Sequence, residues 1–351
     1  MLTSEDIKAR ASKFGFDVCG IAPVAAFSEL RFLNEWIKRG DAGEMHYMVR
    51  SAARRADVRN VMPSAQSVVC LGTVYNVDQP YSTERPNQDE ALLSRYAWGA
   101  DYHTVLGERT EALLAWMRDA NQEVFEARAY VDTGPVQERV YAQYAGIGWI
   151  GKNTCLINPQ IGSWLFLSEI ICSLALEPDE PALDHCGTCT LCLEACPTDA
   201  LAEPWVVDSR QCLSYLTIEL RGSIPEEQRE AIGTHVYGCD ICQDVCPYNA
   251  APACSTDPAW QPVPEFDSPR LADLWRQPDA TLERLLERSP MSRAGLRGLR
   301  RNLAVGLGNS GTIASDTALS DTDSPEDQTR RDPLVAEHVE WARKRHNTAS
   351  S

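Results

Sequence analysis

Seven of the eight cysteines in residues 186–246 fall in two runs whose spacing suits iron–sulfur ligation. The first is Cys186-x2-Cys189-x2-Cys192-x3-Cys196-Pro197, the bacterial ferredoxin pattern for [4Fe–4S] clusters, complete to its proline. Three thiolates on one tight loop reach three corner irons of a cube, and a fourth must come from elsewhere. A zinc ribbon would instead need two CxxC pairs a dozen or more residues apart. The second run, Cys239-x2-Cys242-x3-Cys246-Pro247, lacks its first cysteine and has Val236 there. Cys212 or Cys254 could replace it. Cys212 is favoured because residues 196–212 can fold back between the two runs. The eight thiols then divide into Cys186, Cys189, Cys192 and Cys246 for one cube, and Cys196, Cys212, Cys239 and Cys242 for the other. Cys19, Cys70, Cys155 and Cys172 lie in apolar strand-like contexts and read as small buried hydrophobes.

Such clusters pass single electrons and choose no substrate, so the first 180 residues must supply the chemistry. There Asp132 ends a strand just before Thr133-Gly134-Pro135, a place that presents a carboxyl at the mouth of a site. As a general acid near neutral pH it would need its pKa raised by burial. The alternative is a cap for a helix starting near Pro135. Gly148-Trp-Ile-Gly-Lys-Asn-Thr154 is a glycine-flanked loop without Walker A spacing. His103 sits at a helix start, where a structural hydrogen bond is the usual role. Arg293, Arg297, Arg300 and Arg301 fall on one face if helical, a basic stripe suited to phosphates or to plain solvation.

The elements that must hold these groups alternate along the N-terminal part. The pattern predicts a helix from the Thr3-Ser4-Glu5-Asp6 capping box to about Phe14, then strands at 18–22 and 67–75 with a helix at 29–38 between them. A helix at 101–118, a strand at 123–131 and strands at 154–157 and 164–172 follow. Residues 252–269 hold five prolines and read as a linker. Helical patterns recur at 271–288, 294–307 and 334–345. Residues 312–328, with five acids and no bases, read as a flexible acidic loop. The fold class is α+β: an N-terminal α/β domain (1–178), a ferredoxin-like two-cluster domain (179–255) and C-terminal helices (270–351).

Several classes are excluded by composition. The chain has 351 residues, 44% of them hydrophobic, and a formal charge of −17, which opposes non-specific nucleic-acid binding outside a local basic patch. No apolar run reaches the roughly 18–20 residues that span a bilayer, the longest candidate, 164–176, being broken by Glu169. The start, MLTSEDIKAR, carries acids where a secretory signal has bases, so a cytoplasmic protein is expected.

Tyr130 to Arg139 (YVDTGPVQER), Gly148 to Thr154, Gly162-Ser-Trp, Ser94 to His103 (SRYAWGADYH) and Arg300 to Ser310 (RRNLAVGLGNS), in order with the cysteine runs, resemble epoxyqueuosine reductases. The resemblance covers most of the chain. It departs at the acidic 312–328 stretch and in ending after one more helix. It implies a cobalamin-dependent enzyme with two [4Fe–4S] clusters that reduces epoxyqueuosine to queuosine at the tRNA wobble position, the last step of queuosine synthesis. It further implies a cobalamin-binding domain like that of reductive dehalogenases and a HEAT-like C-terminal unit. Asp132 becomes the catalytic acid; Arg55, Asp132, Lys152, Asn153, Thr154, Ser163 and Ser214 become cobalamin contacts; Arg293, Arg297, Arg300 and Arg301 become tRNA contacts. The expected partners are queuosine-family tRNA and a one-electron donor, with no membrane, and the chain is expected to act as a monomer. Two other functions compete. A corrinoid reductase of small halogenated molecules shares the cofactors but has no use for the arginine stripe. A plain electron-transfer protein would need neither Asp132 nor a cobalamin loop.

Overall fold

The computed structural model describes residues 2–85, 87–321 and 328–349. The first helix, α1 (Ser4–Ala11), starts from a reciprocal capping box: Thr3 Oγ1 accepts the Asp6 N–H at 3.2 Å, and Asp6 Oδ2 accepts the Thr3 N–H at 3.1 Å. β1 (Val18–Pro23), α2 (Ser28–Arg39), α3 (His46–Arg55), β2 (Ser67–Val74), the short β3 (Leu92–Leu93), α4 (Tyr102–Ala120), β4 (Ala127–Tyr130) and α5 (Glu138–Tyr144) follow. A two-stranded ribbon, β5 (Trp149–Ile150) and β6 (Leu156–Ile157), leads into β7 (Leu165–Cys172).

The main sheet runs β1-β2-β7-β4 with every neighbour antiparallel, so this part is α+β and not a parallel α/β unit. Side chains alternate across it. Ile21, Val69, Leu71 and Ile170 pack with α1 and α4 on one face, whereas Ala22, Val68, Cys70 and Ile171 pack with α2 and α5 on the other. Both faces are covered, and every residue of β2 is buried.

In the cysteine-rich part each run carries one short helix, α6 (Leu191–Glu194) and later α9 (Ile241–Asp244). Between them lie α7 (Leu213–Ile218), α8 (Glu226–Arg229) and β8 (His235–Tyr237). β8 pairs in parallel with β3 and so stitches this part to the first. The proline-rich 252–269 stretch is no free linker. Trp260 and Phe266 are buried in two different cores, and the Val263 N–H donates to Trp98 O at 2.9 Å.

The C-terminal helices are α10 (Leu271–Arg276), α11 (Asp279–Leu286), α12 (Gly295–Ser310), α13 (Ile313–Ser320) and α14 (Pro333–Ala349). Gln277 and Pro278 break the expected 271–288 helix in two. The acidic stretch is partly helix: Thr312 caps α13 by accepting the Ser315 N–H, while 322–327 fall outside the described residues. α12 is buried from Gly298 to Leu307, and a Cβ on Gly308 would sit 2.8 Å from Ala342 Cα, so that glycine permits the close α12–α14 approach. These helices share one core with Ala91, Leu93 and Trp98, which locks them against the N-terminal part.

Candidate active site

Asp132 lies just past β4 and has a left-handed backbone, φ 54°, as does Thr154 at φ 65°. Non-glycine residues held in this region cluster at functional sites. No helix is capped by Asp132, because α5 begins only at Glu138 with Gln137 as its N-cap. The Asp132 N–H donates to Glu138 Oε1 at 2.6 Å, and its side chain, 58% exposed, accepts from Tyr102 Oη–H at 3.0 Å. His103 Nε2 stands 3.3 Å from the same Oδ2, and His103 Nδ1 stands 2.8 Å from Asp101 Oδ1. The imidazole is thus clamped between two carboxylates at the start of α4.

That clamp corrects the expectation that burial raises the Asp132 pKa. Burial opposes ionisation there, but hydrogen bonds from His103 and Tyr102, with the charges of His103 and Arg139, outweigh it and hold the carboxyl below the usual range. Burial likewise disfavours the charged form of His103, yet Asp101 and Asp132 push its pKa up to about 9. At neutral pH the site therefore holds its proton as imidazolium next to carboxylate. Glu219, Arg293, Asp132 and Arg55 all act electrostatically on Tyr47, and Glu219, Tyr47 and Asp132 act on Arg293, so these groups stand near one another. The guanidinium of Arg293 covers the Tyr47 ring at 5.1 Å.

Three of the expected cobalamin contacts face elsewhere. Lys152 is buried, its Nζ donating to Gly187 O at 2.7 Å and Cys189 O at 2.9 Å. Asn153 donates to Cys242 O at 3.0 Å. Ser163 is enclosed by Asn249 and Gln243, which donate to its Oγ at 2.9 and 3.0 Å. These groups fasten the two cysteine loops to the catalytic part; buried backbone carbonyls needed donors, and Lys152 and Asn153 supply them. Arg55 donates to Ser51 Oγ and Val136 O, which steadies the segment after Asp132. Thr154 O accepts from Arg139 at 2.9 Å. Ser214, half-buried, turns toward the Cys212 sulfur.

The cysteines gather in two groups. Cys186, Cys189, Cys192 and Cys246 line one cavity of about 300 Å³, with Trp149 Nε1–H directed at Cys186 Sγ at 3.4 Å. That donor set and space fit a four-iron cube. Cys196, Cys212, Cys239 and Cys242 form the other group. Burial, then Cys196, pushes up the thiol of Cys212; burial, then Cys212 and Cys196, that of Cys239; and the hydrogen bond to Cys155, then burial, Cys239 and Cys212, that of Cys242. Cys254 is exposed and bonded to Asn76, and Val236 points into a core. Cys155, expected as a plain buried residue, lies against Cys242.

The basic stripe is corrected as well. Arg300 and Arg301 are 0% and 1% exposed. Arg300 bonds Gln277 O and Asp279 and also Trp275 O, whereas Arg301 bonds Leu216 O, Leu220 O and Gly222 O. Both therefore satisfy carbonyls at the ends of α10 and α7, where helices leave acceptors unpaired. Arg293 and Arg297 remain half-exposed, paired with Glu219 and Asp332 at 2.9 Å. Spacing alone could not separate these roles, because α12 is enclosed almost all round. Tyr102, Glu138 and Glu169 were not singled out from the sequence; their only signal was proximity to Asp132 or, for Glu169, a charge inside an apolar strand.

Comparison with known proteins places this geometry. A family model described as "Epoxyqueuosine reductase QueG, DUF1730" matches residues 55–133, and one described as "4Fe-4S double cluster binding domain" matches residues 185–249. The epoxyqueuosine reductase of Gloeobacter violaceus is 44% identical over 326 residues, covering 88% of this chain and 97% of its own. A crystal structure of epoxyqueuosine reductase with an epoxyqueuosine-modified tRNA-Tyr stem loop matches with a TM-score of 0.86 and 29% identity, over 97% of this chain and 89% of that one. The Bacillus subtilis enzyme, solved with its catalytic aspartate loop swung out of the active site, matches at 0.84 with 27% identity, over 97% and 90%.

Proposed function

The chain belongs to the epoxyqueuosine reductase family, and we propose that it reduces epoxyqueuosine to queuosine at the tRNA wobble position, the last step of queuosine synthesis. The observation that carries this reading is the left-handed Asp132, half-exposed and bonded to Tyr102 and His103. Converting an epoxide to an alkene takes two electrons and two protons and releases water. Bound cobalamin and two [4Fe–4S] clusters supply the electrons.

The second of the two protons comes from solvent, and the protein places the first. His103 carries it at neutral pH, Asp132 receives it through their contact and presents it to the departing epoxide oxygen, and Tyr102 keeps the carboxyl aimed. Arg55, Thr154 and Ser214 are the residues that would hold cobalamin beside Asp132, whose exposed carboxyl and the left-handed Thr154 backbone support this reading. Cys186, Cys189, Cys192 and Cys246 hold one cluster, and Cys196, Cys212, Cys239 and Cys242 the other. Lys152 and Asn153 fix both loops to the catalytic part. The functional parts are 1–178, 179–255 and 270–351, the last a HEAT-like unit. Arg293 and Arg297 are the tRNA contacts of the original four, Arg293 standing within electrostatic reach of Asp132. The Asp132 turn corresponds to the mobile aspartate loop of the Bacillus subtilis relative. The chain works in the cytoplasm as a monomer with a one-electron donor, and among the described residues no helix is long and apolar enough to cross a membrane.

The test is nucleoside analysis of tRNA from cells that lack this activity and carry the gene on a plasmid. Queuosine should replace epoxyqueuosine. Persistent epoxyqueuosine beside a soluble, fully metallated protein would overturn the proposal.

A further inference from the structure

Next to the Asp132 turn lie two carboxyls that the mechanism above does not use, Glu138, half-buried, and Glu169, buried. Glu138 opens α5, and its Oε1 accepts the Asp132 N–H at 2.6 Å. Glu169 sits in mid-strand on β7, opposite Tyr130 of β4 and Cys70 of β2, and is 1% exposed. Among the described residues no donor reaches either of its carboxyl oxygens. A buried carboxylate without a partner is untenable, so Glu169 must be protonated, and the group it faces is Glu138. The two carboxyls thus share a proton, which supplies the missing hydrogen bond.

We propose that Glu138, backed by Glu169, is a positioning residue that holds the Asp132 turn in its working conformation. Rotation about this left-handed residue would carry its carboxyl away from Tyr102 and His103, and the bond to Glu138 opposes that rotation. The shared proton fits this role. Burial, then repulsion from Asp132, lifts the Glu138 pKa to about 7, whereas Glu169 is pushed well up by burial and by Glu138. Arg139 and Arg55 are the cations that act on the pair, and Cys70 is the neutral group on the adjacent strand. With Glu169 carrying the proton, Glu138 keeps an oxygen free for the Asp132 amide.

The inference rests on Asp132 being the acid, and the test separates the two. Single-turnover reduction of an epoxyqueuosine-bearing RNA hairpin is measured with the holoenzyme and with Glu138→Asp, Glu138→Gln and Asp132→Asn, together with the Asp132→Asn/Glu138→Asp double variant. Glu138→Asp keeps the charge but is one methylene too short to reach the amide. It should lose at least tenfold in rate while iron, cobalamin and RNA affinity stay unchanged. Glu138→Gln keeps an acceptor of the right length and should stay within threefold of wild type. On the Asp132→Asn background, Glu138→Asp should cost nothing further, whereas a general structural defect would cost its full tenfold again. Hydrogen exchange at the Asp132 amide should speed up in Glu138→Asp and not in Glu138→Gln. A wild-type rate in Glu138→Asp, or full additivity, overturns the inference alone. An Asp132→Asn enzyme at wild-type rate removes the acid and this inference with it.

Discussion

Replacing Arg301 with Met tests whether this arginine is a structural staple or a phosphate contact. Its guanidinium donates to Leu220 O at 2.7 Å, Gly222 O at 2.8 Å and Leu216 O at 2.6 Å, and also to Asn302 Oδ1. Met fills the stem's space but donates nothing. Each buried acceptor left unpaired costs about 1–3 kcal/mol, and since Met leaves no unpaired charge behind, the total for this site stays toward the low end, about 3–5 kcal/mol. Three orphaned carbonyls at the low end agree with that figure. At roughly 2–4 °C per kcal/mol for a unit of this size, Tm should fall by about 6–20 °C in a thermal unfolding scan. Arg297→Met is the control. It removes one half-exposed ion pair to Asp332, worth about 1 kcal/mol or less, but should reduce the salt slope of tRNA binding by about 0.9 if it meets a duplex phosphate. An Arg301→Met protein with wild-type Tm and weakened, salt-shifted tRNA binding would refute the staple and restore the exposed stripe.

Three further outcomes follow from the site. Asp132→Asn should retain both clusters, cobalamin and tRNA binding but turn over about 10²–10⁴-fold more slowly, the usual worth of general acid catalysis; equal single-turnover rates would move the proton source elsewhere. Because His103 is held protonated up to about 9, the rate should be flat through neutrality and fall as pH rises through that value. In Asp132→Asn, where His103 keeps only Asp101 as carboxylate partner, the fall should begin at lower pH; identical profiles would exclude the pairing. Cys212→Ser should reduce iron from about eight atoms per chain toward four, whereas Cys254→Ser should leave about eight, as anaerobic iron and sulfide analysis will show.

Much of this site could be read from the sequence because its chemistry is local. Cysteine spacing on tight loops reports which thiols can reach one cube, and Asp132 stood out where a strand gives way to Thr-Gly-Pro. The strands at 18–23, 67–74 and 165–172 were legible from their apolar runs, but their antiparallel order was not, since pairing is set by contacts between distant segments. Lys152 and Asn153 were found as a pair and assigned the wrong neighbour, because a glycine-flanked Lys-Asn does not reveal which carbonyls it will meet. Arg300 and Arg301 misled for a related reason. Helical spacing gives the face of a side chain, not whether another helix end covers it. The sign of the Asp132 shift was equally out of reach, as it depends on His103 and Tyr102 arriving from α4, some thirty residues away in sequence.

The central claim is tested most directly with purified protein, anaerobically loaded with iron, sulfide and cobalamin, and an RNA hairpin carrying epoxyqueuosine at its wobble position. After addition of a strong one-electron reductant, mass spectrometry of the digested RNA should show queuosine replacing epoxyqueuosine, at a rate that depends on the Asp132 carboxyl. A fully loaded protein that binds the hairpin and leaves the epoxide intact would contradict the account.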